Sequence, residues 1–333
     1  MGAFSVVAKL TNYHMEYVIL IISLVGIVFG ADFLVAGSVS IARKFKVSDF
    51  VIGAAVIGVG TSTPELTVSF IGALNGNADV AIGNVVGSNI FNVLGILGIT
   101  AMFFPVTFGR QNLKFEIPFC IGISVLLMLL AFNFFNGTSL CVGRFDGLVL
   151  LLTFAAFMWL SFYRDKKSGT QVQESQIEEA APLGPMWLAV TKVVGGLALL
   201  IVSCDFFVDS AVSIAKSFGV SDAFVSLTLI ACGTSLPELA ASIAAALKKN
   251  TSMALGNVVG SSIFNIALII GLSSQAMPLT STGITMVDFL VMIASVTVLY
   301  LFGKDCKIQR WEGALLFLGF VAYTWYLINN QIA

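Results

Sequence analysis

The chain has 333 residues, of which 58 % are apolar and 11 % charged, with a net charge of −1 and a mean hydropathy of +0.98. So little charge cannot cover a soluble domain of this length, and no basic tract offers a nucleic-acid surface. The charges cluster between long apolar stretches, the pattern of a chain that crosses a bilayer repeatedly.

In chain order, the apolar stretches predict an all-α integral membrane protein of ten transmembrane helices. They lie over 16–42, 49–74, 79–104, 114–134, 145–163, 187–215, 222–247, 252–276, 284–302 and 311–329. The first stretch ends in Arg43-Lys44-Phe45-Lys46 rather than at a small-residue cleavage site, and reads as a span rather than a signal peptide. The longest polar break, Arg164 to Pro185, divides the chain into five spans over 1–163, a linker over 164–185 and five spans over 186–333. Glu174, Glu178 and Glu179 in the linker read as a solvated tether, and Cys120, Cys141, Cys204, Cys232 and Cys306 as small buried residues without disulfide or metal spacing.

Lysines and arginines in the alternate loops set the orientation. Arg43, Lys44, Lys46, Arg110, Lys114, Arg164, Lys166, Lys167, Lys192, Lys248, Lys249, Lys304, Lys307 and Arg310 fall on one side, and only Lys9, Arg144 and Lys216 on the other. The rich side is expected in the cytoplasm and both termini outside.

A repeat runs through the chain at an offset of 173. Gly60-Thr61-Ser62-Thr63-Pro64-Glu65 returns as Gly233-Thr234-Ser235-Leu236-Pro237-Glu238, and Gly83-Asn84-Val85-Val86-Gly87-Ser88 as Gly256-Asn257-Val258-Val259-Gly260-Ser261. Asp32-Phe33 likewise returns as Asp205-Phe206, and Ile90-Phe91-Asn92 as Ile263-Phe264-Asn265. With an odd number of spans per half, the second copy must run upside down relative to the first. Inverted repeats of this kind build secondary transporters, with the substrate near the midplane.

An ionisable residue inside a bilayer costs at least a few kcal/mol and is a functional-site hypothesis by default. Helical spacing puts Thr61, Ser62 and Glu65 on one face. Pro64 lacks an N–H, so the carbonyl of Gly60 loses its usual partner, and Gly58 and Gly60 ease unwinding. A broken helix offering a carboxylate, two hydroxyls and freed carbonyl oxygens is expected, and again around Thr234, Ser235 and Glu238, with Ala231 in place of Gly58. The following span of each half adds Ser88 and Asn92, or Ser261 and Asn265, at i,i+4. Such an all-oxygen cluster suits a hard cation, and two glutamates neutralise one Ca²⁺.

Taken singly, the elements have plainer readings. Thr-Ser-x-Pro can be only a kink, and the Gly-x-x-x-Gly pairs 83/87 and 256/260 are packing motifs. Asn84 and Asn257 are set aside as interhelical hydrogen-bonding groups. Asp32, Asp205, Asp209 and Asp288 read as interfacial or helix-linking residues, and His14 as lying outside the first span.

These residues closely resemble the two α-repeats of the cation/Ca²⁺ exchanger superfamily, especially the prokaryotic sodium/calcium exchangers. The resemblance implies Na⁺/Ca²⁺ antiport by alternating access, with Na⁺ and Ca²⁺ as transported ions, no cofactor, no enzyme activity and no obligate protein partner besides the bilayer. Carried over by position, Glu65 and Glu238 would be central ligands, with Thr61 and Thr234 completing a Ca²⁺ site. Ser62, Ser235, Ser88 and Ser261 would bind Na⁺ together with backbone oxygens of Gly58 and Ala231, while Asn92 and Asn265 line the middle. The family often has aspartate at the position of Asn265, and its absence here makes potassium-dependent exchange the weaker reading. The family's usual stoichiometry, three Na⁺ against one Ca²⁺, would make transport electrogenic. A prokaryotic inner membrane is the expected location, and the short linker leaves no room for a cytosolic Ca²⁺-sensing domain. Ca²⁺/H⁺ antiport is the nearest alternative; a passive cation channel and an intramembrane enzyme are weaker ones.

Overall fold

The computed structural model describes residues 2–132, 140–167, 185–218 and 231–332. Almost every described element is helical: α1 (Gly2–Phe45), α2 (Asp49–Thr61), α3 (Thr63–Leu74), α4 (Ala78–Phe103), α5 (Asn112–Phe132), α6 (Arg144–Lys167), α7 (Met186–Ser217), α8 (Leu236–Leu247), α9 (Thr251–Ala276), α10 (Met286–Phe302) and α11 (Arg310–Ile332). Eight of the described helices are long and apolar enough to cross a bilayer, and the bent pair α2–α3 makes a ninth. Of the expected seventh span, 222–247, only a short turn at Ala231–Gly233 and α8 lie among the described residues. Linker residues 168–184, with Glu174, Glu178 and Glu179, lie outside them. The helix expected from residue 16 begins at Gly2, well before the apolar stretch.

Two helices form the core. Of the most apolar stretch of α9, 94 % is buried, and of that of α4, 83 %, against 17 % for α11. The outer helices turn large apolar side chains outward: Ile22 is 65 % exposed, Leu152 62 % and Trp325 66 %. Glutamates, serines and asparagines lie inside. That arrangement suits a hydrocarbon solvent, where apolar side chains gain nothing from burial and polar groups must find partners within the protein.

Small residues set the closest contacts. A Cβ built on Gly256 would come within 2.3 Å of the Phe50 carbonyl oxygen, and one on Gly260 within 2.4 Å of the Ala54 Cα, so α2 and α9 touch backbone to backbone. Gly30 and Gly196 do the same for α1 and α7. Here the small-x-x-x-small reading of 256/260 holds.

The repeat is visible in local structure. Asn77 and Asn250 each cap the helix that follows, accepting from the N–H of Val80 at 3.1 Å and of Met253 at 3.2 Å. The residues just before them, Gly76 and Lys249, both adopt left-handed backbone, with φ of 73° and 59°. Glycine suits that turn without strain; lysine in the same place costs roughly 1–2 kcal/mol.

Loop contacts gather the helix ends into two faces. On one, β1 (Val106–Thr107) pairs antiparallel with β4 (Lys307–Ile308), Thr107 bonds Thr251, and the Ser48 N–H donates to Asp165 at 2.7 Å. On the other, β2 (Leu140–Val142) pairs antiparallel with β3 (Leu279–Ser281). There Asp79 also accepts from Ser281 and from the N–H groups of Thr282 and Gly283, while Gln275 donates to the Arg144 carbonyl. Helix α4 starts on the second face and ends on the first after 26 residues, roughly 39 Å of helix, enough to span a bilayer.

The acidic residues read as interfacial take different parts. Asp32 pairs with Lys248 at 2.6 Å, tying α1 to the end of α8. Asp288 caps α10 in a capping box with Thr285 and accepts the Tyr323 hydroxyl of α11 at 2.7 Å.

Candidate ion-binding site

The site is built on two helix breaks. The chain bends by 49° between α2 and α3, with Ser62 at the corner in a non-helical conformation (φ −79°, ψ 11°). Ser235 takes nearly the same conformation (φ −93°, ψ 8°) before α8. Both half-helices carry proline at their first positions, where the missing N–H costs nothing, and a glutamate in the first turn. Each carboxylate therefore sits at the positive end of a half-helix dipole.

The structure closes a position that the sequence predicts to be open. The Gly60 carbonyl freed by Pro64 is not left open, because the Thr63 hydroxyl donates to it at 2.7 Å. The carbonyl of Gly58 is also engaged, by the Ser62 N–H at 3.1 Å and the Ser261 hydroxyl at 3.2 Å. In the second copy Leu236 replaces Thr63, so Gly233 has no such hydroxyl beside it.

Across the two copies the motifs interlock. The Ser62 hydroxyl donates to Glu238 Oε1 at 2.8 Å, and the Ser235 hydroxyl donates to Glu65 Oε1 at 2.7 Å. Ser88 lies 3.2 Å from the Ser235 hydroxyl. All these side chains are almost completely buried. The second oxygen of each carboxylate, Oε2, accepts no hydrogen bond of good geometry among the described residues. The Thr234 hydroxyl, both amide atoms of Asn92 and Oδ1 of Asn265 make none either, although the Thr234 side chain lies beside Glu65 and that of Thr61 beside Glu238. Leaving a buried charge unpaired costs several kcal/mol. Buried carboxylate oxygens left without a hydrogen-bond donor suit a bound cation.

Thr61 is oriented by its own helix, donating to the Ile57 carbonyl at 3.0 Å. The Ala231–Gly233 turn leads directly into Thr234 and Ser235. A cavity of about 310 Å³ adjoins the cluster, lined by Asn84, Gly87, Ser88, Cys232 and Tyr323 among others.

Residues set aside in the sequence hold the glutamates in place. The Asn84 amide donates to the Glu65 carbonyl at 3.2 Å and to Ser69 at 2.9 Å; the Asn257 amide donates to the Glu238 carbonyl at 3.0 Å and to Ser242 at 2.9 Å. These are interhelical bonds, as the sequence suggested, but they clamp the turn that carries each carboxylate. Their recurrence at the repeat offset was the signal. Asn89 gave none, because its counterpart is Ser262.

The fold and this cluster define an integral membrane transporter that exchanges cations. A family model described as "Sodium/calcium exchanger protein" matches residues 15–163 and 188–329, and the chain belongs to that family. It is 37 % identical over 321 residues to CaxA of Alkalimonas amylolytica, provisionally named an antiporter, covering 94 % of this chain and 98 % of that one. It is 32 % identical over 340 residues to the sodium/calcium exchanger MaX1 of Methanosarcina acetivorans, covering 93 % and 97 %. Among solved structures, the sodium-calcium exchanger NCX_Mj soaked with zero Na⁺ and Ca²⁺ superposes with a TM-score of 0.78 at 31 % identity, over 94 % of this chain and 98 % of that one.

Proposed function

We propose that the protein exchanges Na⁺ for Ca²⁺ by alternating access and extrudes Ca²⁺ electrogenically across a prokaryotic inner membrane. The observation that carries this reading is the reciprocal pair of bonds from Ser62 to Glu238 and from Ser235 to Glu65, with the second oxygen of each carboxylate unpartnered. Two facing carboxylates repel strongly in a medium of low dielectric. One Ca²⁺, or Na⁺ ions in its place, cancels that charge, so the two ions compete for shared oxygens and neither carrier state is comfortable empty. Glu65, Glu238, Thr61 and Thr234 are the proposed Ca²⁺ ligands; Ser62, Ser88, Ser235, Ser261 and the backbone oxygens of Ala231 and, once the Ser261 hydroxyl turns from it to the ion, Gly58 serve Na⁺, with Asn92 and Asn265 between them.

Ten crossings in two inverted halves, 1–163 and 186–333 around the 164–185 linker, suit this mechanism. Support comes from the loop contacts: the face holding Ser48, Thr107, Asp165, Thr251 and Ile308 is also the one bearing Lys46, Arg110, Arg164, Lys248, Lys304 and Arg310. That face is cytoplasmic by its positive charge. The cavity beside Ser88 then approaches the cluster from the external half of α4, and closing it while parting α2 from α9 would expose the site to the other side.

The test is ⁴⁵Ca²⁺ uptake into proteoliposomes driven by an outward Na⁺ gradient, then by an outward H⁺ gradient. Uptake with Na⁺ is expected. Uptake only with H⁺ would make the protein a Ca²⁺/H⁺ antiporter, and flux without any counter-ion a channel.

A further inference from the structure

The two central asparagines are repeat partners, yet their surroundings differ. Asn89 donates its amide N–H to the backbone carbonyl of Ser262 at 3.1 Å and faces the Met292 sulfur at 3.8 Å. A carbonyl oxygen and a thioether can only accept. The Asn89 amide is therefore fixed with its nitrogen toward them, and its Oδ1 points the other way as an acceptor. The Asn265 amide nitrogen donates to that oxygen at 3.1 Å. Asn265 must then aim its own Oδ1 away from Asn89, and that oxygen is buried with no protein partner. In the other copy the residue matching Asn89 is Ser262, whose hydroxyl donates within its own helix to the Val258 carbonyl at 2.8 Å. Asn92 gains no such anchor, and neither of its amide atoms has a partner among the described residues.

We propose that Asn89 is a positioning residue that locks Asn265 to present an oxygen, never a nitrogen, to the transported cation, so that α9 supplies a fixed neutral ligand while Asn92 on α4 stays free to turn. This deepens the proposed function and rests on reading the cluster as the ion site. A hard cation accepts oxygen and not amide nitrogen, so the orientation of one amide decides whether α9 contributes a ligand or a repulsive N–H dipole. The carbonyl adds a ligand without adding charge, which leaves the two carboxylates to set the charge of the bound ions.

The experiment uses the purified full chain, with ⁴⁵Ca²⁺ binding measured by equilibrium dialysis and Na⁺-driven ⁴⁵Ca²⁺ uptake measured in liposomes. Removing an outer partner that orients a ligand typically weakens metal binding 10–100-fold. Asn89→Ala is expected to raise the Ca²⁺ dissociation constant and the half-saturating Ca²⁺ concentration by about ten-fold or more. Asn89→Leu, which keeps the volume, should do the same, and covers the case in which the alanine variant does not fold. Because Asn89 acts through Asn265, the double variant Asn89→Ala/Asn265→Ala should bind no more weakly than Asn265→Ala alone. A purely structural role predicts additive losses, and additivity, or wild-type affinity in a folded Asn89 variant, overturns the proposal. Wild-type protein that binds no Ca²⁺ would instead bring down the reading of the site, and this inference with it.

Discussion

Ser62 and Ser235 each link three levels of the structure. Each is the residue where the helix breaks, each donates to the glutamate of the opposite copy, and each leaves that glutamate one open oxygen. Removing one hydroxyl strands a buried carboxylate oxygen at a cost of about 1–3 kcal/mol. Ser62→Ala and Ser235→Ala should therefore lower the thermal midpoint of the ion-free protein, Ser235→Ala by more because its contact with Ser88 is lost as well. The glutamates themselves carry the charge. Glu65→Gln or Glu238→Gln should cost about 3–5 kcal/mol of Ca²⁺ binding, at least ~100-fold in affinity, and abolish Ca²⁺ exchange in proteoliposomes. Saturating Ca²⁺ should raise the thermal midpoint of the wild type, as any ligand of the folded state does. It should move either glutamine variant far less; a normal Ca²⁺ shift in either would remove that residue from the site.

At the scale of elements, the helix breaks were legible because proline, glycine and serine act through the local backbone. What became of the freed carbonyl was not: Thr63 closes it in one copy, and Leu236 cannot in the other. The wide π-helical turns at Gly53–Gly58, Phe91–Leu97 and Asn265–Ile270 were also not foreseen. They contain Gly58, Asn92 and Asn265, and such turns often mark functional sites. The contact of α2 with α9 gives the sharpest prediction here. Gly256→Ala and Gly260→Ala drive a methyl group into the backbone at Phe50 and Ala54, and should destabilise the protein by about 1–3 kcal/mol or more. Gly122→Ala, with nothing within 4 Å of its added carbon, is the control and should be neutral or mildly stabilising. Equal thermal midpoints for all three would refute this packing.

For the whole molecule, ten apolar stretches, five to each half, and the alternation of basic loops predict an even number of crossings with the second half inverted. Loop contacts among the described residues gather at two faces, β1 with β4 on one and β2 with β3 on the other. A cysteine introduced near Ala333 should react with an impermeant maleimide from outside intact cells; protection there, with labelling only after lysis, would invert the topology. With unequal charges exchanged, Na⁺-driven Ca²⁺ uptake should also accelerate or slow when a potassium diffusion potential is imposed, and indifference to voltage would rule out electrogenic exchange.

The sequence alone determined the solvent, the repeat and the chemistry of the cluster. Apolar runs, a constant offset and intramembrane carboxylates are local properties, or depend on register along one chain. Tertiary structure decided which oxygens face which: Ser62 reaching Glu238 rather than Glu65, Asn84 and Asn257 clamping the turns behind the carboxylates, and Asn89 turning Asn265. Those partners lie on different helices, some more than 170 residues apart. Only the packing of α4 and α9 with the broken helices α2–α3 and α8 brings each donor to its acceptor.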